Sequence, residues 1–126
     1  METTSAVDRR RQLRAGLRDL HDATPEVMGR FGELHRAAVA DGALTSAHKE
    51  LIALAIGIAT GCSACITLHV HDSLRAGATA DQVHEAIAVA VMMGGGRASM
   101  YATEAVAALD DFRTAFAAPP APRGTG

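Results

Sequence analysis

Cys62, Cys65 and His69 fall within eight residues, CSACITLH, and these two cysteines are the only ones in the 126-residue chain. Two thiols three positions apart, followed by an imidazole, could hold a metal, form a disulfide or carry out thiol chemistry. If the stretch opens a helix, rotation by about 100° per residue places Cys65 about 300° and His69 about 340° round from Cys62, so all three share one face. Neighbours at i,i+3 have Cβ atoms about 5–6 Å apart, and a relaxed first turn brings the two sulfurs within disulfide reach. His69 stands four residues after Cys65, within reach of a hydrogen bond. The first turn also carries unpaired N–H groups and a partial positive charge, which favour thiolate over thiol. A free thiol, with a pKa of about 8.5, is only a few per cent ionised at neutral pH. A helix N-terminus and an adjacent histidine both raise that fraction, so the pattern specifies a reactive dithiol with its own base.

Three other readings compete. A structural zinc site needs four ligands and usually a second pair, whereas no second CxxC or HxxxH follows, and His71 points to the opposite side of the same helix. Haem attachment requires CxxCH, and Ile66 occupies the histidine position. The plainest alternative is two small buried residues beside a core histidine, since buried cysteine is common. Twelve residues before Cys62 stands Glu50, a carboxylate at the start of a very apolar helix. First-turn glutamate suits the helix dipole by itself. If the helix–turn–helix folds back, however, Glu50 reaches the Cys–His face, where it could relay a proton or orient His69.

These groups are set in a chain that reads as helical almost throughout. The first helix covers about residues 7–22, with Leu13, Leu17 and Leu20 at helical spacing. Thr24-Pro25 starts a second whose residues Val27, Phe31, Leu34 and Ala38 form one stripe expected to be buried, and Asp41-Gly42 ends it. A third runs from Thr45 or Ser46 to about Ala59 and is apolar on nearly all sides from Leu51 to Ile58, so burial all round is expected. Thr60-Gly61 breaks it, and the fourth runs from Cys62 to Gly77. The fifth opens with the capping box Thr79–Gln82 and reaches the Gly94-Gly95-Gly96 run. The sixth covers about residues 98–117, and the Pro/Gly-rich tail from 117 to 126 is expected to be disordered. The expected class is therefore an all-α, six-helix, single-domain bundle. It divides into an N-terminal helix (1–24), a main helical domain (25–116) and the tail.

The net charge is −2, from 12 basic and 14 acidic residues, which supplies no general attraction for nucleic acid or acidic membranes. Arg9, Arg10, Arg11, Arg14 and Arg18 read as a solvated helix face. Hydrophobic residues make up 48% but aromatics only 3%, so the core must be aliphatic and alanine-rich, with leftover apolar surface suited to covering by other copies of the chain. Residues 51–70 approach the length of a membrane span, but Thr60-Gly61 interrupts them and charged or polar residues flank them. With no apolar stretch in METTSAVDRRRQLR to suggest a signal peptide, a soluble, cytoplasmic protein is expected. A lone cysteine pair in a reducing compartment is more often catalytic or metal-binding than structural. His35, His48 and His84 are expected on the surface, as are Asp110 and Asp111. Glu85 and Glu104 are expected on helix surfaces or at contacts between subunits. Met92, Met93 and Met100 are expected as flexible packing near the glycines.

Taken together, Glu50, the CxxC twelve residues on and His69 four beyond it resemble the alkylhydroperoxidase D-like branch of the carboxymuconolactone decarboxylase superfamily. The resemblance spans about residues 25–112. It rests on GALT at 42–45, KELIALAIGIATGCSACITLH, HDSLRAGATADQVHEAI and VMMGGGRASMYATEAVAALDDF. It implies an all-α fold associating as trimers or hexamers, with peroxidase and disulfide-reductase chemistry and no cofactor or metal. On that resemblance Glu50 and His69 deprotonate the pair, Cys65 attacks the peroxide, and Cys62 closes the 62–65 redox disulfide. A lipoyl-protein or a thioredoxin-like protein would be the dithiol reductant. Decarboxylase members generally lack the pair, so Cys62 and Cys65 argue against lactone decarboxylation. A redox-sensing or non-catalytic oligomeric domain, or a carboxymuconolactone decarboxylase-type enzyme, is the alternative. Two positions depart from the pattern: Ala64, a histidine in some members, and Arg97, where proline is common.

Overall fold

The computed structural model describes residues 4–119. Among them every regular element is an α-helix: α1 (Ala6–Ala23), α2 (Pro25–Val39), α3 (Ser46–Thr60), α4 (Ser63–Arg75) and α5 (Ala80–Ala117). Each start has a local cause. Ser5 and Thr45 accept the amide protons of Asp8 and His48, Pro25 opens α2, and Thr79 and Gln82 form the reciprocal capping box at α5. The outer end of the tail, from residue 120, lies outside the described residues.

Five helices stand where six are expected. The expected fifth and sixth run on as one element, but at Gly95, with φ 72° and ψ −152°, the backbone leaves helical geometry and a kink separates two helical arms. That backbone region is essentially closed to residues with a Cβ, so glycine allows the chain to turn there between the arms. The arm before the kink buries Val83, Ile87 and Ala90; the arm after it buries Ala98, Ala102, Ala105, Leu109 and Phe112. Both sets recur at three- and four-residue intervals, giving one inward stripe each.

The core is formed where α3 and α4 pack on α5: Leu54 and Ile58 from α3, and Ile66 and Val70 from α4, are almost fully buried against these stripes. Small alanines on α5 let the helix axes come close, as the aromatic-poor composition requires. α1 lies across α4 and α5, and its first amide is fixed from far away: Ala6 N–H donates to Asp111 Oδ2 at 2.8 Å. Asp111 is therefore a cap for α1 and not the solvated group expected, whereas Asp110 is exposed.

Two expected burials fail in the single chain. α2 has no buried residue, and Val27, Phe31 and Leu34 are 69%, 59% and 63% exposed. On α3, Ile52 and Ile56 are also exposed, so that helix is not buried all round. Met92, Met93 and Met100 project outward and are not packed near the glycines. Periodicity identifies an apolar face but not what covers it.

His71 is enclosed by α5: its ring meets Phe112 and Phe116 edge-on, with centroids at 5.3 and 5.5 Å, and Nδ1 lies 2.8 Å from Asp72 Oδ1. Burial holds its pKa below the ordinary 6.5; the bond to Asp72 opposes this, and Arg10 and Arg75 reinforce it. The unfolded chain thus binds this proton more readily than the folded one. Stability should be complete above about pH 6.5 and decline as pH falls below it. Thermal unfolding at pH 7.5 and 5.5 should show a lower Tm at the acid pH, with a smaller drop in His71→Gln. An equal drop in that variant would assign the effect to other groups.

Candidate active site

The functional face is built around a tight turn between α3 and α4. Gly61 ends α3 in the left-handed conformation, φ 72° and ψ 48°, and its amide closes the last turn of that helix. A Cβ there would lie 2.7 Å from the Arg97 guanidinium and 2.9 Å from the Tyr101 ring, so backbone conformation and crowding both require glycine. Arg97 itself lies over Tyr101, 5.4 Å from the ring centroid, roofing the turn. Gly57 performs a second spacing role: a Cβ on it would stand 3.1 Å from Cys65 Cβ, so its hydrogen lets α4 approach α3 at the level of the second cysteine.

Cys62 is the N-cap of α4, one position earlier than the first helical turn. Its sulfur accepts the Cys65 amide proton at 3.2 Å, and the two cysteines are joined by a disulfide with Cα atoms 5.2 Å apart. Both are partly buried. His69 follows one turn beyond Cys65 on α4, and across the helix pair its Nδ1 lies 2.7 Å from Glu50 Oε2. The structure thus brings all four predicted residues to one helix–turn–helix. The Glu50 side chain is 5% exposed and that of His69 19%, so the pair is shielded from competing water. With Glu50 ionised, Nδ1–H donates to the carboxylate and Nε2 keeps its lone pair, the arrangement of an oriented general base.

Other groups stand near the site that the sequence reading did not assign to it. His35, exposed on α2, stacks parallel to His69 with centroids 6.2 Å apart. Asp72, one turn after His69, lies near both His35 and Glu50. His35 had no local signal, because its approach depends on how α2 docks; Asp72, three residues after His69, shares that side of α4 by helical rotation. Glu104 of α5 accepts the Ser63 hydroxyl proton at 2.9 Å, tying the inner residues of the CxxC to α5. A largely apolar groove of about 800 Å³ lies apart from these groups, on the other side of α4, between Ser63, Ala64 and Thr67 and the α1 residues Leu13 and Leu17. His48 is exposed and contacts only its own cap, Thr45, among the described residues; His84 is also exposed.

Comparison with known proteins decides the family. The sequence model of the carboxymuconolactone decarboxylase family matches residues 25–108. The chain belongs to that family. An uncharacterised protein of Cupriavidus necator is 38% identical over 108 residues, covering 86% of this chain and 96% of its own length. Uncharacterised protein 4 of the cox locus of Paracoccus denitrificans is 40% identical over 97 residues, covering 77% and 87%. Among solved family structures, an apo protein from Legionella pneumophila superposes with a TM-score of 0.81 at 36% identity, over 85% of this chain and 96% of its own. A Thermotoga maritima family protein, for which a part in the antioxidative response has been suggested, gives 0.76 at 25% identity, over 84% and 91%. The family assignment covers the α2–α5 body that holds Glu50, the cysteine pair and His69. No helix among the described residues is long and apolar enough to cross a membrane.

Proposed function

We propose that this protein is a thiol-dependent hydroperoxide reductase that cycles through the Cys62–Cys65 disulfide. The observation that carries the reading is the 2.7 Å Glu50–His69 pair, shielded on two packed helices and set one turn beyond a CxxC that caps a helix start. In the reduced state His69, held by Glu50, accepts the Cys65 thiol proton. The thiolate attacks one peroxide oxygen, the O–O bond breaks, and the alkoxide leaves as alcohol on taking a proton. Cys65 is now a sulfenic acid. The Cys62 thiolate displaces its oxygen as water and closes the disulfide. An external dithiol, of the lipoyl or thioredoxin type, returns two electrons by exchange, with Cys62 at the outer helix end as its point of attack. Identical copies would cover the exposed apolar faces of α2 and α5, making a homo-oligomer.

Turnover tests the reading. Supplied with a dithiol donor, the reduced protein should consume many equivalents of an alkyl hydroperoxide, and chelator-treated protein should do the same. Cys62→Ser and Cys65→Ser should each abolish turnover. After one equivalent of peroxide, mass spectrometry should find a stable sulfenic acid only in Cys62→Ser. A single equivalent consumed, with a shift in elution volume, would instead identify a redox sensor.

A further inference from the structure

A second constellation sits beside the Glu50–His69 pair and shares Glu50 with it. His35 from α2, Glu50 from α3 and Asp72 from α4 each bring one potential ligand atom within 4.8 Å of the others. The three residues come from three separate helices, so their convergence is a product of the fold and not of local sequence.

The hydrogen bonds leave these ligands partly free. Glu50 is held through Oε2 by His69, and its other oxygen has no hydrogen-bond partner among the described residues although the side chain is 5% exposed. Asp72 is held through Oδ1 by His71, leaving Oδ2. The His35 imidazole makes no hydrogen bond among the described residues and is oriented only by its stacking on His69. Each carboxylate is thus fixed by a histidine through one oxygen and open through the other. Outer partners of this kind orient metal-ligating carboxylates and tune their basicity.

We propose that His35, Glu50 and Asp72 form a binding site for a divalent transition-metal ion of the zinc class, which restrains the neighbouring thiol chemistry. One imidazole nitrogen and two carboxylate oxygens suit zinc, with water completing the shell. Two carboxylates also balance the double positive charge. At zinc–ligand bonds of about 2.0–2.2 Å, tetrahedral ligands stand about 3.4 Å apart, so the site closes by drawing in His35, the exposed member. Arg10, which feels the charge of Asp72, competes with the ion for that carboxylate. The restraint rests on the thiol-peroxidase reading: an ion on the free oxygen of Glu50 withdraws charge from the carboxylate that supports His69. His69 then accepts the Cys65 proton less readily, with no bond of the pair broken.

Oxidised protein provides the direct test, because its disulfide leaves no thiol to bind metal. Calorimetric titration with zinc chloride should show one ion per chain. His35→Ala and Asp72→Asn should each weaken binding tenfold or more, and His84→Ala, on the exposed face of α5, should leave it unchanged. Magnesium, which prefers near-octahedral oxygen ligands, should bind much more weakly. Equal zinc affinity in the wild type and His35→Ala, or no saturable binding, overturns the site. These results do not depend on any peroxidase activity. In reduced protein, zinc should slow thiol alkylation more in the wild type than in His35→Ala, since zinc captured by the thiols would slow both alike. Equal slowing would overturn the restraint while leaving the site established by the oxidised titration.

Discussion

Glu50→Gln and His69→Gln should each slow the reaction of the reduced dithiol with hydroperoxide by about 10²–10⁴-fold, the usual contribution of a positioned general base. The argument starts from the pair itself. Nδ1 of His69 is engaged by a nearly buried carboxylate at 2.7 Å, which fixes the ring and leaves Nε2 as its basic nitrogen. Glutamine keeps the shape of Glu50 but removes the charge that stabilises an imidazolium, while glutamine at 69 removes the base altogether. Because the two residues act as one unit, the double variant should lose little more than the worse single one. Stopped-flow alkylation and peroxide consumption, each recorded as a pH profile, measure the effect; unchanged thermal midpoints exclude unfolding as its cause. Wild-type rates in both variants would end the relay interpretation.

Phe112→Ala should destabilise the fold by about 3–5 kcal/mol, the range for truncating a buried aromatic. Phe112 is 2% exposed, lies on the inward stripe of the second arm of α5 and supports the ring of His71. Phe116, stacked on Phe112 at 6.2 Å, is 46% exposed, so Phe116→Ala should cost clearly less. Urea unfolding at unchanged slope compares the two. Equal losses would mean that the aromatic cluster, and not burial at position 112, sets the cost.

The site was legible wherever local geometry governs it. Cys62, Cys65 and His69 lie within one helix and its cap, so their shared face follows from helical rotation. Glu50 required one further step, a reversal at Gly61, and glycine at a helix end signals that reversal in sequence. His35 was not legible, since its approach depends on the docking of α2; Asp72 shares the His69 side of α4 by rotation, but nothing local indicated that α2 would meet it there. Asp111 illustrates the same limit: its partner, the Ala6 amide, is 105 residues away. The apolar stripe of α2 was read correctly as a stripe and wrongly as buried in one chain. Alternation of residue types reports a preference for cover, and a single chain of this composition has too little cover to supply. The break expected at the glycine run is present, but it is confined to Gly95, so the second arm of α5 follows the first without a loop.

The sulfur of Cys62 does two jobs at once: it takes part in the redox bond and it closes the end of α4 by accepting the Cys65 amide. Adding or removing two electrons therefore changes a bond at the very atom that finishes the helix. If the proposed thiol cycle holds, the first turn of α4 is where oxidation state and helix capping meet, and a reductant docking there would meet one surface before electron transfer and another after it.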